Sequence, residues 1–150
     1  MTGVLTLAWF HYLAMMFLAA ALIAEHLMFA PRPTLPVARK IVVVDAIYGI
    51  SLVVVFLTGV ARMFHGGKGA LFYMQNGAYH TKFTLFIVMA VLWLYPALKF
   101  FAWRRALRRG ETPAMDDSEA KRVLMAIRLQ LLILVFLPLL AAMMARGVWS

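Results

Sequence analysis

The chain has 150 residues, 65% of them hydrophobic, against about 45–50% in an average globular protein. A soluble fold of this length cannot hide that much apolar side chain, because a small domain keeps a large share of its surface in water. Fifteen Lys and Arg against 6 Asp and Glu leave a formal charge of +9, and the absence of cysteine excludes disulfides and thiolate metal sites. Apolar and basic together point to a membrane and away from nucleic acid.

A membrane-spanning helix needs about 20 mostly apolar residues. Four stretches qualify, at 4–29, 41–64, 79–103 and 123–145. The first is stopped by Pro31-Arg-Pro-Thr-Leu-Pro36, because proline lacks the N–H that a helix needs. It has no basic leading segment and is longer than the apolar core of a signal peptide, so it reads as a span. The second ends at His65-Gly-Gly, the third carries Pro96 as an expected kink, and the fourth contains Pro138. A polar loop is expected over 104–122, and its Asp116-Asp-Ser-Glu run looks like a helix start with acids at the positive end of the macrodipole.

The expected fold is therefore all-α: one transmembrane domain over 1–150, an up-down-up-down four-helix bundle. Eleven of the 15 basic residues fall on one side of the membrane, and Arg62, Lys68, Lys82 and Arg146 on the other. The positive-inside rule makes the first side cytoplasmic. Both termini and the loop 64–78 then face outward, and a multi-pass protein of the bacterial inner membrane is expected, with its termini periplasmic.

Ionisable residues inside spans are functional candidates by default. They form two layers. The outer layer holds His11, Arg62, His65, His80 and Lys82, and the inner layer holds Glu25, His26, Asp45 and Arg128, with Tyr48 one turn deeper than Asp45. His11, Met15, Leu18, Leu22 and Glu25 recur at steps of four and three, as do Asp45, Tyr48, Leu52, Val55, Gly59 and Arg62. Each set is one seam of a left-handed bundle. Glu25 or Asp45 paired with Arg128 makes a structural ion pair of the inner layer.

All six acids belong to the inner half, so Arg62 and Lys82 have no carboxylate to pair with. Buried cations need partners. Lipid phosphates can serve, because long basic chains snorkel. So can an external ligand bearing carboxylates, such as a porphyrin with its propionates, for which histidine is the expected axial ligand. Spans one and three are diagonal in such a bundle, so His11 and His80 are the candidate pair across the core. His11 lies several residues inside its span and His80 near the edge, so one histidine with a different second ligand, or an open site, is the alternative. Arg62 and Lys82 then neutralise the propionates, and Gly59 leaves room for a flat ligand. His65, beside Gly66-Gly67, reads as a wet loop residue. Met15-Met16 and Met143-Met144 are soft donors suited to copper but lack a Met-x-x-Met or His/Met cluster. Trp9, Tyr12, Tyr79, Trp103 and Trp149 sit at span ends as an interfacial belt. No Walker loop, HExxH or GxSxG occurs.

Three segments carry a resemblance: Trp9-Phe-His-Tyr-Leu, Asp45-Ala-Ile-Tyr-Gly and His80-Thr-Lys-Phe-Thr-Leu. They resemble the HemJ family of membrane protoporphyrinogen oxidases and the wider superfamily of CopD-like copper-resistance proteins. The chain looks most like the uncharacterised membrane families of that superfamily. The resemblance implies that His11 matches the first-span histidine, Tyr48 the second-span tyrosine, and His80 with Lys82 the H-x-K pattern. Ala46-Ile47-Tyr48 stands where HemJ has R-L-Y, so that arginine is absent. The implied function is a b-type haem or porphyrin protein, an oxidoreductase transferring electrons with quinone or oxidising porphyrinogen, with Lys82 and Tyr48 as its catalytic candidates. The implied partners are the bilayer, a tetrapyrrole, quinone or a redox protein, and a second copy of the chain. A copper-handling protein and a non-catalytic subunit or assembly factor are the alternatives.

Overall fold

The computed structural model describes residues 2–65 and 69–148. Gly66, Gly67, Lys68 and Trp149 lie outside them. Five helices follow in order: α1 (Thr2–Met28), α2 (Leu35–His65), α3 (Gly69–Gln75), α4 (Gly77–Arg108) and α5 (Asp117–Ala145). No strand occurs among the described residues. Helices α1, α2, α4 and α5 are each long and apolar enough to cross a membrane. That is the expected all-α class with four spans. Without water in the hydrocarbon, the backbone must satisfy its own hydrogen bonds, and a helix does so within one segment.

Helix ends extend past the apolar runs. α2 begins at Leu35, six residues before the apolar stretch, because Pro36 falls in the first turn, where an N–H is not needed. α4 continues to Arg108, placing Arg105 and Arg108 at the negative end of its macrodipole. The loop expected over 104–122 shrinks to 109–116. Charge ends a hydrophobic run without ending a helix. Asp116 caps α5, accepting from the Ser118 backbone N–H at 3.3 Å and from its hydroxyl at 2.6 Å, with Asp117 and Glu119 in the first turn. The helices run on through Pro96 and Pro138. Within the loop 64–78, α3 was not expected from the sequence. Buried Asn76 then caps α4 by accepting from Tyr79 N–H at 3.0 Å.

Neighbouring helices are antiparallel. His11 meets Thr58, Asp45 meets Trp93, Phe56 stacks on Phe86, and Lys99 pairs with Glu119, so contacts descend one helix as they climb the next. α1 and α2 form one hairpin and α4 and α5 another, joined through α2–α4 and α1–α5. The Met115 N–H donates to the Pro31 carbonyl at 2.9 Å, tying the two inner loops together. The expected seams lie inside: His11, Leu18, Leu22 and Glu25 of α1 and Asp45, Tyr48, Leu52 and Val55 of α2 are buried. Lipid tails are as apolar as leucine, so the outer faces stay apolar too. Leu27 is 77% and Met16 70% exposed.

Hydrophobicity cannot bring such helices together, so close packing and polar contacts must. Tyr48 donates across the bundle from α2 to Gln130 of α5 at 2.8 Å, with both side chains fully buried. At Gly49, a Cβ would lie 2.6 Å from the Trp93 ring, so α2 and α4 approach only because that side chain is absent.

Gly49→Ala is expected to lower the unfolding midpoint in detergent, since overpacking typically costs about 1–3 kcal/mol. Gly3→Ala, where a Cβ meets nothing within 4 Å, leaves the midpoint in place. The hydrogen bonds from Ser118 hold the Asp116 carboxyl below the usual carboxylate range. A depressed pKa gives stability that is present above the unfolded value, about 3.9, and is lost as pH falls through the folded one. Amide protection factors in the first turn of α5, taken relative to the intrinsic exchange rate at each pH, should therefore fall in acid, and in Asp116→Asn this acid-dependent loss of protection should disappear.

Candidate functional site

One cavity lies at the end of the bundle where α1 begins and α5 ends. Its lining includes His11, Tyr12, Gly59, Arg62, Tyr79 and Lys82. The apolar wall is built from Met15, Phe56, Phe86, Met89, Leu137 and Met144 among others, and the cavity measures about 190 Å³. No Asp or Glu lines it.

The seam periodicity turns His11 inward, where it is 9% exposed. Its Nδ1 lies 2.8 Å from the Thr58 hydroxyl, and that hydroxyl donates to the Val54 carbonyl at 2.6 Å. With its proton spent on Val54, Thr58 can only accept from His11, so Nδ1 carries the ring proton. Nε2 is then the nitrogen that carries the lone pair. A second group that orients an imidazole in this way is what a ligand histidine needs. Gly59 sits against the same ring, where a Cβ would come within 3.4 Å of Cε1.

The two cations are held by aromatic faces. Arg62 lies 5.1 Å from the Tyr12 ring centroid and donates to the Tyr12 hydroxyl at 3.5 Å. Lys82 lies 5.8 Å from the Tyr79 ring centroid. A ring face attracts a cation but carries no net charge, so both remain uncompensated.

His11, Gly59, Arg62 and Lys82 are thus brought together, while two other candidates are not. His80 is exposed, and its Nε2 donates to the Met74 carbonyl of α3 at 2.7 Å. It does not line the cavity, and the expected pairing of His11 with His80 across the core does not form. The helix α3 that captures His80 was not visible in the sequence. Tyr48 lies in the inner layer against Gln130, away from Lys82. His65 is exposed, with Nδ1 donating to Ala61 at 3.1 Å. Among the described residues no group of three His, Cys, Asp or Glu is placed to hold a metal ion.

The inner layer also departs from expectation. Arg128 is exposed, and neither Glu25 nor Asp45 pairs with it. The step from Ile127, fully buried, to Arg128 turns the side chain around α5 and away from the core. Asp45 instead accepts from Trp93 Nε1 at 2.8 Å. Glu25 is 1% exposed, and both its carboxyl oxygens lack a hydrogen-bond partner. Thr58, Trp93 and Gln130 are the polar partners that the sequence reading missed. Gln130 could have been found as a lone amide inside an apolar run, but nothing in the spacing pairs Thr58 with His11.

Comparison with curated proteins and with solved structures finds no match. The family described as "Predicted membrane protein (DUF2214)" matches residues 4–149, nearly the full length, and this four-span chain belongs to it.

Proposed function

We propose that this is a multi-pass membrane protein that binds an amphipathic carboxylate in the cavity between α1, α2, α4 and α5, and that tetrapyrroles are its ligand class. The observation that carries the reading is the convergence of Arg62, Lys82 and an oriented, buried His11 on one apolar cavity with no acidic residue. An anionic edge satisfies the two cations, the aromatic and aliphatic wall takes an apolar body, and His11 Nε2 is the single available donor to iron. A bound b-type haem supplies one-electron chemistry, for which quinone or a redox protein is the exchange partner. The likeness to HemJ at His11 and Lys82 supports the same ligand class and makes porphyrinogen the substrate to test. The excess of basic residues in the loops at the opposite end, read by the positive-inside rule, supports an outward-facing cavity in a bacterial inner membrane.

Size bears on this reading. A cavity of about 190 Å³ is below the roughly 300–1,000 Å³ of ordinary ligand pockets. A macrocycle enters by displacing side chains, and Met15, Met89 and Met144 in the wall are the flexible ones. The same methionines with His11 form a soft donor set that suits copper. Arg62 and Lys82 argue against it, because two unneutralised cations repel a metal ion and attract a carboxylate.

The test is an absorbance titration of the purified chain with haemin and, separately, with metal-free protoporphyrin. Both should bind, with a shifted Soret band. Arg62→Gln and Lys82→Gln should each weaken both ligands at least about tenfold, the scale of a charge-assisted hydrogen bond. Thr58→Val should weaken haemin about 10–100-fold through His11 and leave protoporphyrin unaffected. Absence of a spectral change with either ligand overturns the reading, and retained copper without iron replaces it with the metal-handling one.

A further inference from the structure

The inner layer raises a separate question, independent of whatever fills the outer cavity. Glu25 lies one turn before the end of α1 and is 1% exposed. Neither carboxyl oxygen has a hydrogen-bond partner, and the ion pair found among the described side chains is Lys99 with Glu119, elsewhere. Of the groups in its layer, α2 contributes Asp45 and Tyr48, both buried. Gln130 of α5 is reached through the Tyr48 hydroxyl. His26, its neighbour on α1, has a buried and unpartnered Nδ1. From α4, Trp93 bonds to Asp45, and Arg104 lines the same groove as Asp45. The cation of this layer therefore stands by Asp45 and not by Glu25.

A buried carboxylate with no cation, no donor and a second acid beside it is not sustainable in apolar surroundings. The charge must be removed, and a proton is the one cation small enough to need no cavity. Tyr48 cannot supply a hydrogen bond instead, because its hydroxyl proton is committed to Gln130. Asp45 differs from Glu25 in lining an open groove between α2 and α4, together with Gly49, Trp93, Leu98 and Arg104. It touches the outside where Glu25 does not.

We infer that Glu25 is a proton-binding site of the bundle: its carboxyl group holds one proton at neutral pH and exchanges it through Asp45 and the α2–α4 groove. On release, the Glu25 O–H bond breaks, the proton passes by way of a bridging water to the Asp45 carboxylate and then to water at the groove, and Glu25 is left as the carboxylate. Uptake is the reverse, with no electron transferred. Intramembrane acids of this kind serve proton relays.

Infrared spectroscopy of the full chain in detergent at pH 7 tests this directly, because a carboxylic acid and a carboxylate absorb in separate regions. The expected result is an acid carbonyl band that shifts when glutamate is labelled with carbon-13 at its carboxyl group. That labelling needs no mutation, and the other glutamates, Glu111 and Glu119, are in the loop and in the ion pair with Lys99. Glu25→Gln should abolish the band, and transfer to D2O should shift it in the wild type. Asp45→Asn should keep the band and slow its deuterium shift. If the carbon-13 label moves only carboxylate bands, Glu25 is ionised and the proposal fails. An acid band that never shifts in D2O overturns the exchange, and an unchanged rate in Asp45→Asn overturns the route.

Discussion

The bilayer withholds both water and a hydrophobic driving force between helices, and the rest of this structure follows from that. Backbone polar groups must be satisfied within each segment, which makes helices obligatory. Helix association must then come from close packing and from polar contacts that have no alternative partner. Both are visible along α2. Gly49 admits the Trp93 ring, Asp45 takes the indole N–H, and Tyr48 spans the bundle to Gln130. Asp45 and Gly49 on one face of α2, with Tyr48 beside them, therefore set the positions of α4 and α5.

The same constraint gives the polar residues their meaning. The outer layer has cations without acids and the inner layer has acids of which Glu25 has no cation. They cannot neutralise each other. His11 and Glu25 are fourteen residues apart on α1, about 21 Å at 1.5 Å per residue. Leu18 and Leu22 fill the seam between them and exclude water. Charge is thus separated along the bundle by an apolar plug, which is the common ground of the two proposals: an anion at one end and a proton at the other.

How far the site was legible depends on whether a feature was local. The inward turn of His11, Glu25, Asp45 and Tyr48 follows from helical periodicity, so the seams could be read directly. The convergence of Arg62 and Lys82 on one empty space was suggested by their shared depth, since antiparallel helices of equal span bring equal depths together. His80 shows where that reasoning stops. It lies at the edge of its span while His11 lies several residues inside, and α3, a seven-residue helix in a loop, offers the Met74 carbonyl and holds the ring outside. Arg128 shows the same limit: depth matched it to the acids, and the rotation of α5 turned it away.

The sequence by itself determined the solvent, the four spans, their antiparallel order and which charged groups share one end of the bundle, because each depends on composition and on the fixed rise of a helix. Only the tertiary structure decided which groups at one depth meet. That depends on rotation about each helix axis, on close approaches such as Gly49 against Trp93, and on which hydroxyls have already spent their protons. Thr58 shows this most clearly. Its proton goes to Val54, so it accepts from His11 Nδ1 and fixes which ring nitrogen carries the lone pair. No pattern in the chain pairs those two residues, since forty-seven positions separate them and only packing of α1 on α2 brings them together.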